Sequence, residues 1–163
     1  MNDAHLHLLI NHFPIIGLII GTLILLTGIL FKSSVSKKIA LVVLLFSAAF
    51  AIPSFESGED AEEVLEHFTT MTKETHHLIH EHEEKAEVFM PFAWSIIVLC
   101  LVSLFLEWKK KSFAKYILIL TLALSAVACY LVKEVGTSGG EISHPEIRKE
   151  FNSPTKGQEY DDD

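Results

Sequence analysis

Nine residues of this chain are histidine, and their placement raises the question of a bound metal before any other. His5, His7 and His12, with Asn11 beside the last, stand in the stretch HLHLLINHFPIIG, immediately before the uncharged run Phe13 to Phe31. His82 has Glu83 next to it, and His144 lies between Glu141 and Glu146. Imidazole is the commonest metal ligand and the side chain most easily tuned near neutral pH. Mixed with carboxylate, it suits zinc, iron, copper or nickel better than calcium or magnesium. The residue types therefore point to a transition-metal site built from His7, His12 and His82, with Glu62 or Glu83 and His144 completing it. A pair of histidines from different helices, His12 and His82, would instead hold a single b-type haem. For each of these histidines a solvated position at a membrane boundary is the plain alternative.

The elements that must position them are read from hydropathy. Half of the residues are hydrophobic and mean hydropathy is +0.37, values foreign to an ordinary soluble domain. The apolar residues fall into four uncharged runs, Phe13 to Phe31, Ile39 to Phe55, Val88 to Leu106 and Tyr116 to Val132, each 17 to 19 residues long. That is the length needed to cross a bilayer as a helix. The expected fold is an all-α bundle of four transmembrane helices over residues 1–150, with an acidic, disordered tail over 151–163. The first run is not expected to be a cleaved signal peptide, because Asp3 rather than a basic residue precedes it and it is longer than a signal core.

Lysines set the expected orientation. Lys32, Lys37 and Lys38 lie between runs one and two, and Lys109, Lys110, Lys111 and Lys115 between runs three and four, with Glu107 as the only acid. By the positive-inside rule these connections are cytoplasmic and both termini extracytoplasmic, as in a multi-pass protein of a bacterial inner membrane. The outer side then carries a net charge of −14 and the inner side +6, in keeping with the overall −8. All nine histidines fall on the outer side. Electron transfer across the membrane through two stacked haems is disfavoured, since the inner half has no axial histidine. Ion conduction is disfavoured too: the cysteines, Tyr130 and, at the very start of run four, Tyr116 are the only ionisable residues within runs two to four. Cys100 and Cys129 lie at different depths and read as small buried residues without a disulfide.

Along the chain, Gly17, Gly21 and Gly28 form a face on which another helix can approach closely. That face is nearly opposite His12. His5 and His12, a heptad apart, share a face, and His7 points elsewhere unless Pro14 bends the axis. Helix two is expected to end at Pro53. Ser57 and Asp60 resemble a capping pattern that starts a short acidic helix, part of an extracytoplasmic helical cap that restarts at Lys73 after Thr69 to Thr72. From there the pattern runs into helix three, with Pro91 as a kink or first-turn proline. His76, His80, Glu84 and Glu87 form one polar stripe assigned to solvent. His82 differs, because Leu78, Ile79, Ala86 and Phe89 place it on the apolar stripe that enters the bundle. Gly136 to Gly140 reads as a flexible turn. No internal repeat, phosphate loop or basic patch for nucleic acid is evident.

His7 with Asn11-His12-Phe13-Pro14 and Gly17, then Ser57-Gly58-Glu59 with Ala61-Glu62, then His82-Glu83 with Ala86, and Gly139-Gly140 with His144, together resemble the bacterial four-helix membrane family catalogued as domain of unknown function 2231. The likeness spans residues 5 to 146 and implies the same topology and a marked set of residues, without a reaction. The histidine-rich 76–82 segment and the acidic tail depart from it. Three classes of function remain: first a transition-metal site at the outer mouth of the bundle, placed ahead because carboxylates lie beside the histidines and the glycine face is turned away from His12; then one bis-histidine b-type haem near the outer surface; then an accessory subunit without catalysis. The partners implied are the lipid bilayer, a periplasmic or membrane redox partner, and a second copy of the chain.

Overall fold

In the computed structural model, which describes residues 3–68 and 73–148, α1 (Asp3–Ile10) and α2 (His12–Leu30) form one rod with a shallow break at Asn11. The break has a local cause. Pro14 has no N–H to offer the Ile10 carbonyl, while the Asn11 N–H still bonds the His7 carbonyl at 2.9 Å and holds the two pieces in line. The other rods are α3 (Ser34–Phe68), α4 (Lys73–Trp108) and α5 (Ala114–Ser143), and a 3-10 turn, Pro145–Ile147, closes the described chain. Helix α2 packs on α3, α3 on α4, α4 on α5, and α5 back on α2; α2 and α4 face each other across the axis. Among the described residues four helices are long and apolar enough to cross a membrane.

Residue size is distributed as lipid requires. Ile19, Leu23, Phe46, Trp94, Leu101, Phe105 and Ile119 are exposed on the outside, while Gly21, Ala40, Ala48, Ala93, Ser103, Thr121 and Ala128 are buried between helices. Without water to drive apolar groups together, helices associate by close backbone approach at small residues. A Cβ on Gly21 would fall 2.8 Å from Leu44 Cγ, and one on Gly28 would fall 2.9 Å from the Lys37 backbone nitrogen. The glycine face of α2 thus seats α3, as its spacing suggested. Inside, Ser103 and Thr121 share a hydrogen bond of 3.2 Å, so neither hydroxyl is stranded. At the end rich in lysine, Lys37 and Glu107 pair at 3.2 Å and tie α3 to α4.

The bundle is a duplication in space. Pro14, Leu18, Gly21, Leu25 and Gly28 are the buried positions of α2, and at one constant sequence offset Phe89, Ala93, Ile96, Cys100 and Ser103 are buried in α4, which also buries Ile79 nearer its start. The same offset carries His7 onto His82 and Asn11 onto Ala86. Both hairpins turn alike: Lys32 (φ 53°) and Lys110 (φ 50°) are left-handed, followed by Ser33 N–H to Gly28 O at 2.9 Å and Lys111 N–H to Leu106 O at 3.1 Å. This is the Schellman closure, here with lysine where glycine is usual. No repeat was evident in the sequence because helix packing fixes only spacing and size, and the paired positions share few identities.

Three local expectations are corrected. Helix two does not end at Pro53 and no new helix starts at Ser57, because α3 runs through both. Its buried stripe continues as Ala51, Ser54, Ser57 and Ala61, and packing at that spacing outweighs one missing hydrogen bond. Gly136 to Gly140 is not a turn but the last part of α5, where the glycines give contact room, with a Cβ on Gly136 reaching within 3.0 Å of Ile15 Cδ1. Pro91 lies inside α4, which is continuous from Lys73 as expected. The helical connection between membrane spans is therefore made by continuations of α3 and α4. The threonine break at 69–72 and the tail at 151–163 lie outside the described residues.

Candidate functional site

The inward stripe of the first rod runs from Gly28 and Gly21 through Pro14 to His7, each a multiple of seven residues apart. His7 is consequently the histidine of this rod that enters the bundle. Its Nδ1 lies 2.9 Å from the Ser54 carbonyl and 3.3 Å from Ser57 Oγ on α3. Ser57 Oγ itself donates to the Ser54 carbonyl at 3.1 Å. A carbonyl can only accept and the serine proton is already committed, so Nδ1 carries the imidazole hydrogen. The lone pair is left on Nε2.

His82 repeats this arrangement from α4. Its Nδ1 lies 3.1 Å from the Val135 carbonyl and 3.1 Å from Ser138 Oγ on α5, and Ser138 Oγ donates to the carbonyls of Glu134 and Val135 at 3.1 and 3.0 Å. The tautomer is again fixed, with the lone pair on Nε2. Each ring also rests on a glycine. A Cβ on Gly58 would stand 3.2 Å from His7 Cε1, and one on Gly139 would stand 3.1 Å from His82 Cε1. The two imidazoles meet across the bundle axis with ring centres 6.4 Å apart and planes crossed at 87°. Both are half-buried, and the backbones of α1 and α4 are not in contact among the described residues.

The chain matches no protein-family model, no curated protein and no solved structure. Geometry alone therefore carries the reading of the site.

Of the residues singled out in the sequence, the structure brings His7 and His82 together. His12 is exposed on the outer side of the first rod, where it lines an open groove of about 580 Å³ with Phe13, Phe46 and Phe50. His144 is exposed and pairs with Glu146 at 3.0 Å. Bonds from its own backbone N–H, and then from His144, hold the Glu146 carboxyl below its usual range. Glu83 is half-buried and its Oε2 lies 4.0 Å from His80 Nδ1. The Glu62 side chain lies outside the described residues. His76 and His80 are exposed, as the polar stripe suggested. Among the described residues no group of three or more His, Cys, Asp or Glu is placed to hold one metal ion.

Sequence reasoning missed the residues that hold the rings. Their signal was available: Ser54-x-x-Ser57-Gly58 and Val135-x-x-Ser138-Gly139 share a spacing that ends in a Ser-Gly pair. One more feature went unremarked. Asn11, one turn after His7, has a buried side-chain oxygen with no hydrogen-bond partner among the described residues.

Proposed function

We propose that this membrane protein carries a single b-type haem between His7 and His82, and that it passes one electron at a time to or from a redox partner on the histidine side of the bilayer. The observation that carries this reading is the pair of Nδ1-anchored imidazoles with ring centres 6.4 Å apart. Two imidazoles at that separation would hold one iron between them through the nitrogens not engaged by α3 and α5. Metal-ligating histidines commonly donate their other N–H to a backbone carbonyl, which fixes tautomer and orientation. A haem supplies four equatorial nitrogens of its own and asks the protein for two axial ligands. A bare zinc or iron ion asks for more, and no third ligand converges on this pair among the described residues.

In this reading the chain's residues have separate tasks. His7 and His82 would hold the iron through Nε2. Ser54, Ser57, Val135 and Ser138 hold the rings through Nδ1, and Gly58 and Gly139 let the rings lie against the helix backbones. When bound, the haem supplies reversible one-electron chemistry. The lysine-rich turns at the opposite end support a cytoplasmic position for them, and in this reading the histidine end lies outside. Labelling of cysteines introduced at positions 35 and 80 tests this orientation, and reaction from outside at 35 alone would reverse it.

The main test is a visible spectrum of the detergent-purified protein expressed with haem available. A low-spin Soret band is expected, and it should be lost in His7→Ala and in His82→Ala but retained in His12→Ala. Ligand planes crossed near 87° leave two iron d orbitals close in energy, so the ferric protein should show a strongly anisotropic low-spin resonance. Stoichiometric metal without a Soret band would favour the bare transition-metal site, with His12, Glu62, Glu83 or His144 drawn in. Neither haem nor metal would leave an accessory subunit.

A further inference from the structure

Asn11 lies on the inward stripe of the first rod, between His7 and Pro14, and its counterpart in the second hairpin is Ala86. A buried amide oxygen without a donor is costly, because it has lost its water and gained nothing in exchange. Its neighbour one turn away is the imidazole assigned to the cofactor. What an unpaired carbonyl oxygen favours, besides a donor, is a positive charge in its vicinity.

We infer that Asn11 turns its amide oxygen toward a metal cation held between His7 and His82, as a positioning residue that makes the two sides of the site unequal. The inference rests on the haem reading above and extends it to the electrostatics of the centre. At matching positions the first rod offers an amide dipole and the second hairpin only the methyl of Ala86. The negative end of that dipole favours the oxidised, more positive iron. Asn11 therefore lowers the midpoint potential, an effect that a purely packing role would not produce.

The test uses the full-length protein in detergent, loaded with haem, with potentials from a spectroelectrochemical titration. Asn11→Leu is expected to move the midpoint to a more positive potential, and Asn11→Ala should move it the same way if the leucine protein does not assemble. Before loading, the leucine protein should melt a few degrees higher than wild type, since an unpaired buried acceptor has been removed. Haem uptake with an unmoved potential in both variants would overturn this inference and leave the haem reading standing. If wild type takes up no haem, the haem reading falls and this inference falls with it.

Discussion

Replacing Gly139 by alanine sets two effects of similar size against each other, and only one of them would reach the haem proposed to bind between His7 and His82. The new Cβ would stand 3.1 Å from His82 Cε1, so the ring must retreat by a few tenths of an ångström toward the axis. That retreat stretches the Nδ1 bonds to the Val135 carbonyl and Ser138 Oγ, both already 3.1 Å long. Losing their net contribution costs about 0.5–1.5 kcal/mol. Exchanging glycine for alanine inside a helix returns about 0.8–1.0 kcal/mol. The empty protein should therefore change its melting temperature little. The loaded protein has no such compensation, because a displaced ligand ring is one of the supports whose loss costs about 10–100-fold in affinity, or about 1.4–2.7 kcal/mol.

Haem transfer to an acceptor protein, measured beside thermal melting of the empty form, separates the two. Gly136→Ala and Gly140→Ala are the controls, since their Cβ atoms meet only the side-chain tips of Ile15 and Ile147, at 3.0 and 3.2 Å. Those tips can move, so both controls should gain helix stability and keep their haem. If Gly139→Ala holds haem as tightly as these controls, the contact between ring and helix has no part in binding and the reasoning is wrong.

Two other expectations follow from described features. Lys110→Gly, or Lys32→Gly, should stabilise the protein by about 1 kcal/mol in chemical unfolding, because a left-handed residue with a Cβ carries roughly that strain. Acidification toward about pH 5 should release the bound group and neutralisation restore it, since a proton on Nε2 occupies the lone pair that ligates. Spectra recorded across the titration check the sign, and stronger retention at low pH would contradict histidine ligation.

The four spans and the lysine turns were legible because lipid imposes length and charge rules on single stretches of chain. Helix ends were less so. Pro53 and the glycines from Gly136 to Gly140 are local stop signals, and both were overridden by partners remote in sequence, the first rod at Ser54 and Ser57 and His82 at Gly139. Choosing between His7 and His12 required the phase of the first rod relative to its neighbours. The heptad from Gly28 through Gly21 and Pro14 contained that phase, but Pro14 itself obscured whether the helix carried it onward. His82 was recognised because its apolar stripe is unbroken on both sides. Its serine and carbonyl supports were not, since they lie on a different helix and one of them is backbone.

The spatial duplication bears on how the molecule is assembled. Each hairpin contains its own imidazole, its own serine and glycine support and its own turn, so each can insert as a pair of helices with its half of the pocket already shaped. In a bilayer, insertion and helix association are separable stages. The step that completes the pocket is then the meeting of two finished halves rather than the folding of either. A delivered cofactor would meet the nascent protein at that junction, with both receiving surfaces preformed and only their approach left to settle.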